Sequence, residues 1–432
     1  MTQLPSLWEA LPFAGILISI ALLPLAAPHF WHRRYPVVAA LWGLAFAVPF
    51  LWRFRGAGAH QLLEVGLGEY LPFLAMLWGL FTVTGGIEIV GVLPGTPRNN
   101  LFLLLTGTAL ASVVGTTGAS MLLLRPLLRA NAGRKRRAHV VVFFIFLVSN
   151  VGGSLTPLGD PPLFLGFLQG VPFFWTMRLL PDTLLLVTLL GAAFYAIDVR
   201  AWRREDGPPP PATVGRLRVA GSGNLLLLGG IVLCVWLSGV HRTLPGVLRD
   251  GTIVLLGLVS LAITPAGLRR RNGFGWGPMR EVAILFAAIF TTMVGPILLL
   301  RAGEAGPLGA VMRSMQTPGH FYWVTGLLSS VLDNAPTYLT MLHTQLARFF
   351  PGTDVVDAVA RLVVEHPDHL HAISAGAVFM GALTYIGNAP NFMVKAIAEE
   401  AGVAMPSFAG YILRWSLPIL GPALLLVAWR WI

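Results

Sequence analysis

The sequence predicts an all-α membrane protein, an inverted-topology repeat with about ten transmembrane helices, two re-entrant hairpins and two broken helices. Three observations carry this expectation. Of 432 residues, 55% are hydrophobic and only 11% are charged, against roughly 25% charged in a soluble domain. Apolar runs of about 20 residues, the length that crosses a ~30 Å hydrocarbon core, recur along the whole chain. Finally, one phrase occurs twice inside apolar surroundings: Gly153-Ser154-Leu155-Thr156-Pro157-Leu158-Gly159-Asp160-Pro161-Pro162 returns as Gly381-Ala382-Leu383-Thr384-Tyr385-Ile386-Gly387-Asn388-Ala389-Pro390. Gly and Pro at this density break a helix, and irregular backbone at membrane depth persists only where it lines a polar cavity. A pair of interruptions at matching places in two halves points to a transporter's substrate site.

The spans follow from the apolar runs in order: 11–28, 36–52, 70–93, 139–170, 181–199, 224–239, 251–264, 282–300, 371–395 and 410–429. The first has no basic leader and no small-residue cleavage site after it, so it reads as a retained span and not a signal peptide. Two further apolar segments, 101–124 and 321–346, carry Gly115-Thr116-Thr117-Gly118-Ala119-Ser120 and Asp333-Asn334-Ala335-Pro336-Thr337 near their middles. If both are re-entrant hairpins, most Lys and Arg fall on one side, as the positive-inside rule requires. The cytoplasmic side then holds Arg33-Arg34 and the basic stretches 125–137, 200–218 and 269–280. The loop 349–368, with Asp354, Asp357, Glu365 and Asp368, lies outside.

The polar, proline-rich stretch around Glu205-Asp206-Gly207-Pro208 divides the chain into a first repeat (1–205), a cytoplasmic linker (206–216) and a second repeat (217–432). Each repeat has five spans and one hairpin. Five is odd, so the second repeat enters the membrane in the opposite sense. Phe81-Thr82-Val83-Thr84-Gly85 and Phe290-Thr291-Thr292, each in the third span of its half, echo the pairing.

The formal net charge of +11 does not imply a nucleic-acid partner, because the basic residues sit in short loops where they orient the protein in the bilayer. The single cysteine, Cys234, rules out an internal disulfide and a cysteine metal cage. No Gly-x-x-x-x-Gly-Lys-Ser/Thr loop occurs, so ATP does not power the chain directly, and neither an enzyme activity nor a cofactor is expected.

The carboxylates within the apolar segments narrow the chemistry. Asp160 lies in the first break and Asp333 at the second hairpin's tip, with no Lys or Arg in either segment. An ionisable group at membrane depth costs at least ~2.5 kcal/mol and marks a functional site by default. By the pseudo-symmetry Asp160 matches Asn388, and Asp333 matches Thr117 when the hairpins are aligned on Ala119 and Ala335. Each half thus offers one acid and one neutral oxygen ligand, a set that suits a small hard cation such as Na⁺ and that also takes up H⁺. Against this stands a purely structural role for Asp160, as the N-cap of a half-helix opening at Pro161. Asp333 could likewise be an ordinary loop residue. Glu88 is read as near the inner end of its span, and His139 and Lys395 as interfacial.

Four motifs together resemble the NhaD-type sodium/proton antiporters of the ion transporter superfamily, which also holds citrate and dicarboxylate carriers and arsenite permeases. They are Gly115-Thr116-Thr117-Gly118-Ala119-Ser120 with Arg125-Pro126, Ser149-Asn150-Val151-Gly152-Gly153 with the first break, Leu332-Asp333-Asn334-Ala335-Pro336-Thr337-Tyr338, and Gly387-Asn388-Ala389-Pro390-Asn391. The resemblance implies a homodimer in the cytoplasmic membrane and elevator-like movement of a transport domain. It also implies an ion site lined by Thr117, Asn150, Asp160, Asp333, Asn334, Thr384 and Asn388, with Asp160 and Asp333 holding Na⁺. The expected activity is exchange of Na⁺ (or Li⁺) for H⁺. The alternative is a cation-coupled carrier of citrate, a dicarboxylate or an oxyanion such as arsenite. The sodium-coupled dicarboxylate carriers bear paired Ser-Asn-Thr motifs, whereas here the first reads Ser149-Asn150-Val151 and the second break has no such triplet.

Overall fold

The computed structural model describes residues 7–205, 215–241, 245–301 and 306–431. Most of the predicted linker, 206–214, therefore lies outside the described residues. The chain is a multi-pass helical membrane protein. The first half contains α1 (Leu11–Ala26), α2 (Pro28–Val65), α3 (Leu71–Thr84), strand β1 (Glu88–Val92), α4 (Pro97–Val114), α5 (Thr116–Ala130), α6 (Ala138–Leu147), α7 (Pro161–Leu168) and α8 (Leu180–Trp202). After strand β2 (Gly215–Ala220) the second half contains α9 (Gly223–Val240), α10 (Gly246–Ile263), the short α11 (Ala266–Arg271), α12 (Gly277–Leu300) and the short α13 (Gly309–Ser314). It continues with α14 (Pro318–Val331), α15 (Asn334–Phe349), α16 (Val355–Glu365), α17 (Pro367–Met380) and α18 (Ala389–Glu400). The last crossing is α19 (Phe408–Tyr411), a π-helical stretch (Ile412–Leu420) and α20 (Gly421–Ala428).

Packing repeats when the halves are exchanged. α12 lies along α2 and α10 along α3, α1 pairs with α2 as α9 does with α10, and α15 packs on α7 as α5 packs on α18. Much of the interior is aromatic: Phe143, Phe144, Phe146 and Phe164 have no exposed surface. Apolar side chains such as Leu226 on α9 and Val247 on α10 are more than four-fifths exposed, which is the lipid-facing pattern of a membrane helix.

Both interrupted apolar segments fold back on themselves. α4 and α5 are antiparallel neighbours whose far ends meet where Asn100 and Asn131 exchange amide hydrogen bonds of 2.9 and 2.7 Å. α14 and α15 likewise pack against each other across the turn at Leu332-Asp333, and near the far end of α15 the Arg348 guanidinium donates to the Met312 carbonyl of α13 at 2.5 Å. The hairpins are longer than the expected 101–124 and 321–346, because Pro97 and Pro318, each following a capping threonine, set their starts.

Several expected boundaries change. The span drawn over 70–93 ends at Thr84, since Gly85-Gly86 stops the helix and Glu88–Val92 pairs antiparallel with Gly215–Ala220. Glu88, read as a span-end residue, sits in this ribbon and pairs with Arg271 at 3.1 Å. The span drawn over 36–52 begins at Pro28 and runs to a bend at Arg55, whose φ of 46° is held beside Gly56. The acidic loop 349–368 contains a helix, α16, opened by Asp354, which accepts the Val356 N–H at 3.0 Å, and buried through Ala358, Val359 and Leu362.

Candidate functional site

Four helices begin within hydrogen-bonding reach of one carboxylate. Gly115, with φ of 79°, turns the first hairpin so that α5 starts at Thr116, whose N–H donates to the Gly159 carbonyl at 2.8 Å. The second hairpin turns at Asp333, so α15 starts at Asn334. Asp160 and Asn388 stand immediately before α7 and α18, in near-identical extended conformations (φ −140°, ψ 141° and φ −150°, ψ 138°).

The prolines after these residues decide where the two side chains go. An N-cap side chain accepts from the second or third helical N–H. Pro161 and Pro162 have no N–H, Pro390 has none, and the third-position N–H groups of Leu163 and Asn391 already donate to the Asp160 and Asn388 carbonyls at 3.1 and 3.0 Å. Neither side chain caps its helix. The capping role considered for Asp160 therefore does not hold, and its carboxylate turns into the centre. Asp333 does cap: its Oδ1 accepts the Ala335 N–H at 3.0 Å, and its carbonyl accepts the Thr337 hydroxyl at 2.8 Å.

Asp160, 1% exposed, accepts three hydrogen bonds. Thr116 Oγ1 donates to Oδ1 at 3.2 Å, Asn388 Nδ2 to Oδ1 at 2.9 Å and Asn334 Nδ2 to Oδ2 at 2.6 Å. No basic side chain among the described residues forms an ion pair with it. Its negative charge is instead faced by the N-terminal ends of four helices, each equivalent to roughly half a positive charge. Asn334 keeps its other amide atom, Oδ1, buried and without a partner.

A second tier holds the two breaks together. Asn150 Nδ2 donates to the Ile145 carbonyl at 2.8 Å and to Asn391 Oδ1 at 2.7 Å, while Asn388 Nδ2 also reaches the Ser149 carbonyl at 3.1 Å. Asn391 Nδ2 spans the second break, donating to the Gly381 and Thr384 carbonyls at 2.9 and 3.0 Å. The repeated glycines are needed where each break crosses itself: a Cβ on Gly387 would lie 2.6 Å from both the Gly381 and Ser329 carbonyl oxygens, and one on Gly159 would overlap the Gly153 carbonyl.

A cavity of about 530 Å³ leads from the face bearing the basic loops to this centre. Asp333, Ser120 and Asn388 form part of its wall at depth, and His32, Arg125, Glu281 and Glu400 contribute charged or titratable groups. The Arg125 guanidinium lies against Gly273, where any Cβ would overlap it, and it pairs with no carboxylate of the described residues. Among the described residues no group of three or more His, Cys, Asp and Glu side chains gathers, so a cation here would rest on at most two acids, Asp160 and Asp333, and neutral oxygens.

A family model described as "Putative citrate transport" matches residues 1–432. The chain belongs to that family. An uncharacterized transporter of Mycobacterium tuberculosis (strain H37Rv) is 26% identical over 362 residues, 76% of this chain and 78% of the relative. A 46 kDa membrane protein of Mycobacterium leprae is 26% identical over 411 residues, 86% of this chain and 87% of its own length. A second uncharacterized transporter, from M. tuberculosis strain CDC 1551, is 24% identical over 325 residues, covering 71% of each chain. Membership in a citrate-transport family keeps the chain among membrane transporters and is not specific to the NhaD-type antiporters.

Of the residues expected to line the site, Asp160, Asn334 and Asn388 meet directly, Asn150 buttresses Asn388, and Asp333 lines the cavity beside them. Two do not join. Thr117 is part-buried on a separate small cavity, and Thr116 occupies the position facing Asp160, because the hairpins correspond by their helix starts (Thr116 with Asn334) and not by Ala119 and Ala335. Thr384 donates to the Ser330 carbonyl at 2.5 Å and accepts the Ile386 N–H at 3.1 Å, fastening the second break to α14, as Thr156 fastens the first to the Ser112 carbonyl. Asn391, outside the expected site set, joins both breaks. Its spacing of three from Asn388 on one helix face was the available signal. His139, read as interfacial, is 5% exposed and bonded to Asp198 at 2.8 Å.

Proposed function

We propose that the protein is a secondary active carrier of a citrate-like polycarboxylate, coupled to Na⁺ or H⁺, which works by alternating access in the cytoplasmic membrane. The observation that carries this reading is the convergence of four helix N-termini on a centre whose deep acids, among the described residues, are Asp160 and Asp333. Four positive helix ends, each worth about half a charge, roughly balance the two carboxylates, and once a bound cation neutralises an acid they favour an anion at the same place. The cavity supports the same conclusion. At about 530 Å³ it falls within the 300–1,000 Å³ of small-molecule sites, and Arg125 on its wall is available to a substrate carboxylate. The family description points the same way.

In this mechanism the cation neutralises the acids so that the polyanion can approach. A proton on Asp160 or Asp333, or Na⁺ held by the Asp160 carboxylate, Asn334 Oδ1 and nearby carbonyls, removes the repulsion that the substrate would otherwise meet. The open path to the basic-loop side corresponds to an inward-facing state. The second reading, Na⁺/H⁺ exchange without a carried anion, rests on Asp160 being buried without a basic partner, since competing cations could then share it. Counterflow separates the two. Proteoliposomes preloaded with unlabelled citrate should accumulate labelled citrate transiently, and the signal should be lost when Na⁺ is omitted and the pH on both sides is raised until the acids stay ionised. Counterflow that is absent for citrate and related tri- and dicarboxylates would refute the carrier reading.

A further inference from the structure

A second large cavity, about 740 Å³, opens on the basic-loop face away from the central one, between the start of α6, the last turns of α8 and the segment 402–404. Arg134, Lys135, Arg136, Arg137, Arg200 and Arg204 line it, and no Asp or Glu among the described residues does. The nearest acids are already engaged. Asp198 is fully buried and takes Arg134 and His139, and the Glu205 carboxylate accepts the backbone N–H groups of Lys135 and Arg136 at 3.3 and 3.0 Å. Arg137 donates to the Ala401 and Gly402 carbonyls at 3.3 and 3.0 Å. The exposed side chains of Arg136, Arg200 and Arg204 make no hydrogen bond or ion pair with any described residue.

Orientation in the bilayer needs only basic loops near its surface, whereas here cations from two segments, 134–137 and the end of α8, converge on one concavity, and the Arg136, Arg200 and Arg204 side chains have no acidic partner among the described residues. Mutual repulsion on that scale is relieved by a bound anion. The surroundings specify its kind. Trp415 and Ile197 form apolar parts of the wall, and on the same π-helical stretch Leu413 and Leu417 are 65% and 53% exposed. A charged pocket continuous with a lipid-facing apolar surface fits a phosphate that carries acyl chains better than a soluble ion. We propose that this cavity binds the phosphate headgroup of an anionic phospholipid of the cytoplasmic leaflet. The lipid would join the exit of the first hairpin to α8 and the approach to the last crossing. The inference does not depend on which substrate the central cavity carries.

The test uses the full chain in neutral detergent, titrated with phosphatidylglycerol, phosphatidylcholine or inorganic phosphate and followed by native mass spectrometry and thermal melting. Phosphatidylglycerol should be retained and should raise the melting temperature, while the other two at equal concentration should not. Replacing Arg200 and Arg204 together by Gln should weaken phosphatidylglycerol binding about tenfold or more and leave melting without lipid unchanged. Arg33→Gln with Arg34→Gln, which removes the same charge from another exposed basic pair, on α2, should leave binding intact. Should the Arg200 and Arg204 pair melt early without lipid, Arg136→Gln, at an exposed loop position, serves as the variant. Equal loss in the Arg33 and Arg34 pair, or equal binding of phosphatidylcholine, would overturn the pocket. Inorganic phosphate binding as tightly as phosphatidylglycerol would overturn the lipid assignment.

Discussion

Replacing Asp160 in two different ways separates what its carboxylate does for the fold from what it does for transport. In Asp160→Leu the acceptor disappears and its three donors fare differently. Asn388 Nδ2 keeps the Ser149 carbonyl at 3.1 Å and Asn150 Oδ1 at 3.3 Å. Thr116 Oγ1 and Asn334 Nδ2 have Asp160 as their hydrogen-bond acceptor and are left buried and unpaired. Two orphaned donors at about 1–3 kcal/mol each make a loss of about 2–6 kcal/mol. Asp160→Asn differs in kind. Its oxygen still accepts from Thr116 and Asn388, and its new amide faces Asn334, which can rotate half a turn to present the Oδ1 that now has no partner. Only the charge assistance is lost, about 1 kcal/mol. Thermal melts of the purified chain in detergent should therefore show Asp160→Asn close to wild type and Asp160→Leu well below it. Proteoliposome assays should show that Asp160→Asn has lost its dependence on Na⁺ or pH. Two variants melting alike would refute the inferred geometry of the three donors.

Other consequences are independent of that site. Gly387→Ala, which must push a Cβ against two carbonyl oxygens, should lower stability by about 1–3 kcal/mol, visible as a fall in the melting temperature, whereas Gly275→Ala, with open space around it, should not. Arg125→Gln should raise the citrate KM about tenfold, the scale of one charged contact of ~1.4 kcal/mol, with Arg125→Lys in between and the melting temperature unchanged in both. In a Cys234→Ser background, single cysteines at Arg136 and Arg270 should react with impermeant thiol reagents only from the cytoplasmic side, and one at Asp354 only from outside. Labelling of Arg136 and Asp354 positions from the same face would contradict the inverted arrangement.

The helical membrane architecture, the two hairpins and both breaks were legible because hydropathy over ~20 residues and Gly/Pro punctuation are local signals. The strand at Glu88–Val92 was not, since its partner Gly215–Ala220 lies far along the chain and strand pairing is decided by such non-local contacts. The helix Val355–Glu365 was legible in principle: Asp354 is a cap, and Val355, Val359 and Leu362 recur at helical spacing. At the site, Asp160 and Asn388 could be named from the repeated phrase, and Asn334 through the family resemblance. The choice between Thr116 and Thr117 turned on where α5 begins, and two adjacent threonines give no chemical clue to that. The direction of the Asp160 side chain, by contrast, was implicit in Pro161-Pro162, which remove the donors a cap would need.

The most direct test of the account measures the internal pH of proteoliposomes that hold a proton gradient and receive Na⁺ and citrate separately and together. The account predicts that the gradient or the Na⁺ flux changes only when citrate is present, with the citrate taken up, and that Asp160→Asn abolishes this coupling. Dissipation of the proton gradient by Na⁺ alone, unaffected by citrate, would contradict it and identify the chain as an exchanger of the two cations.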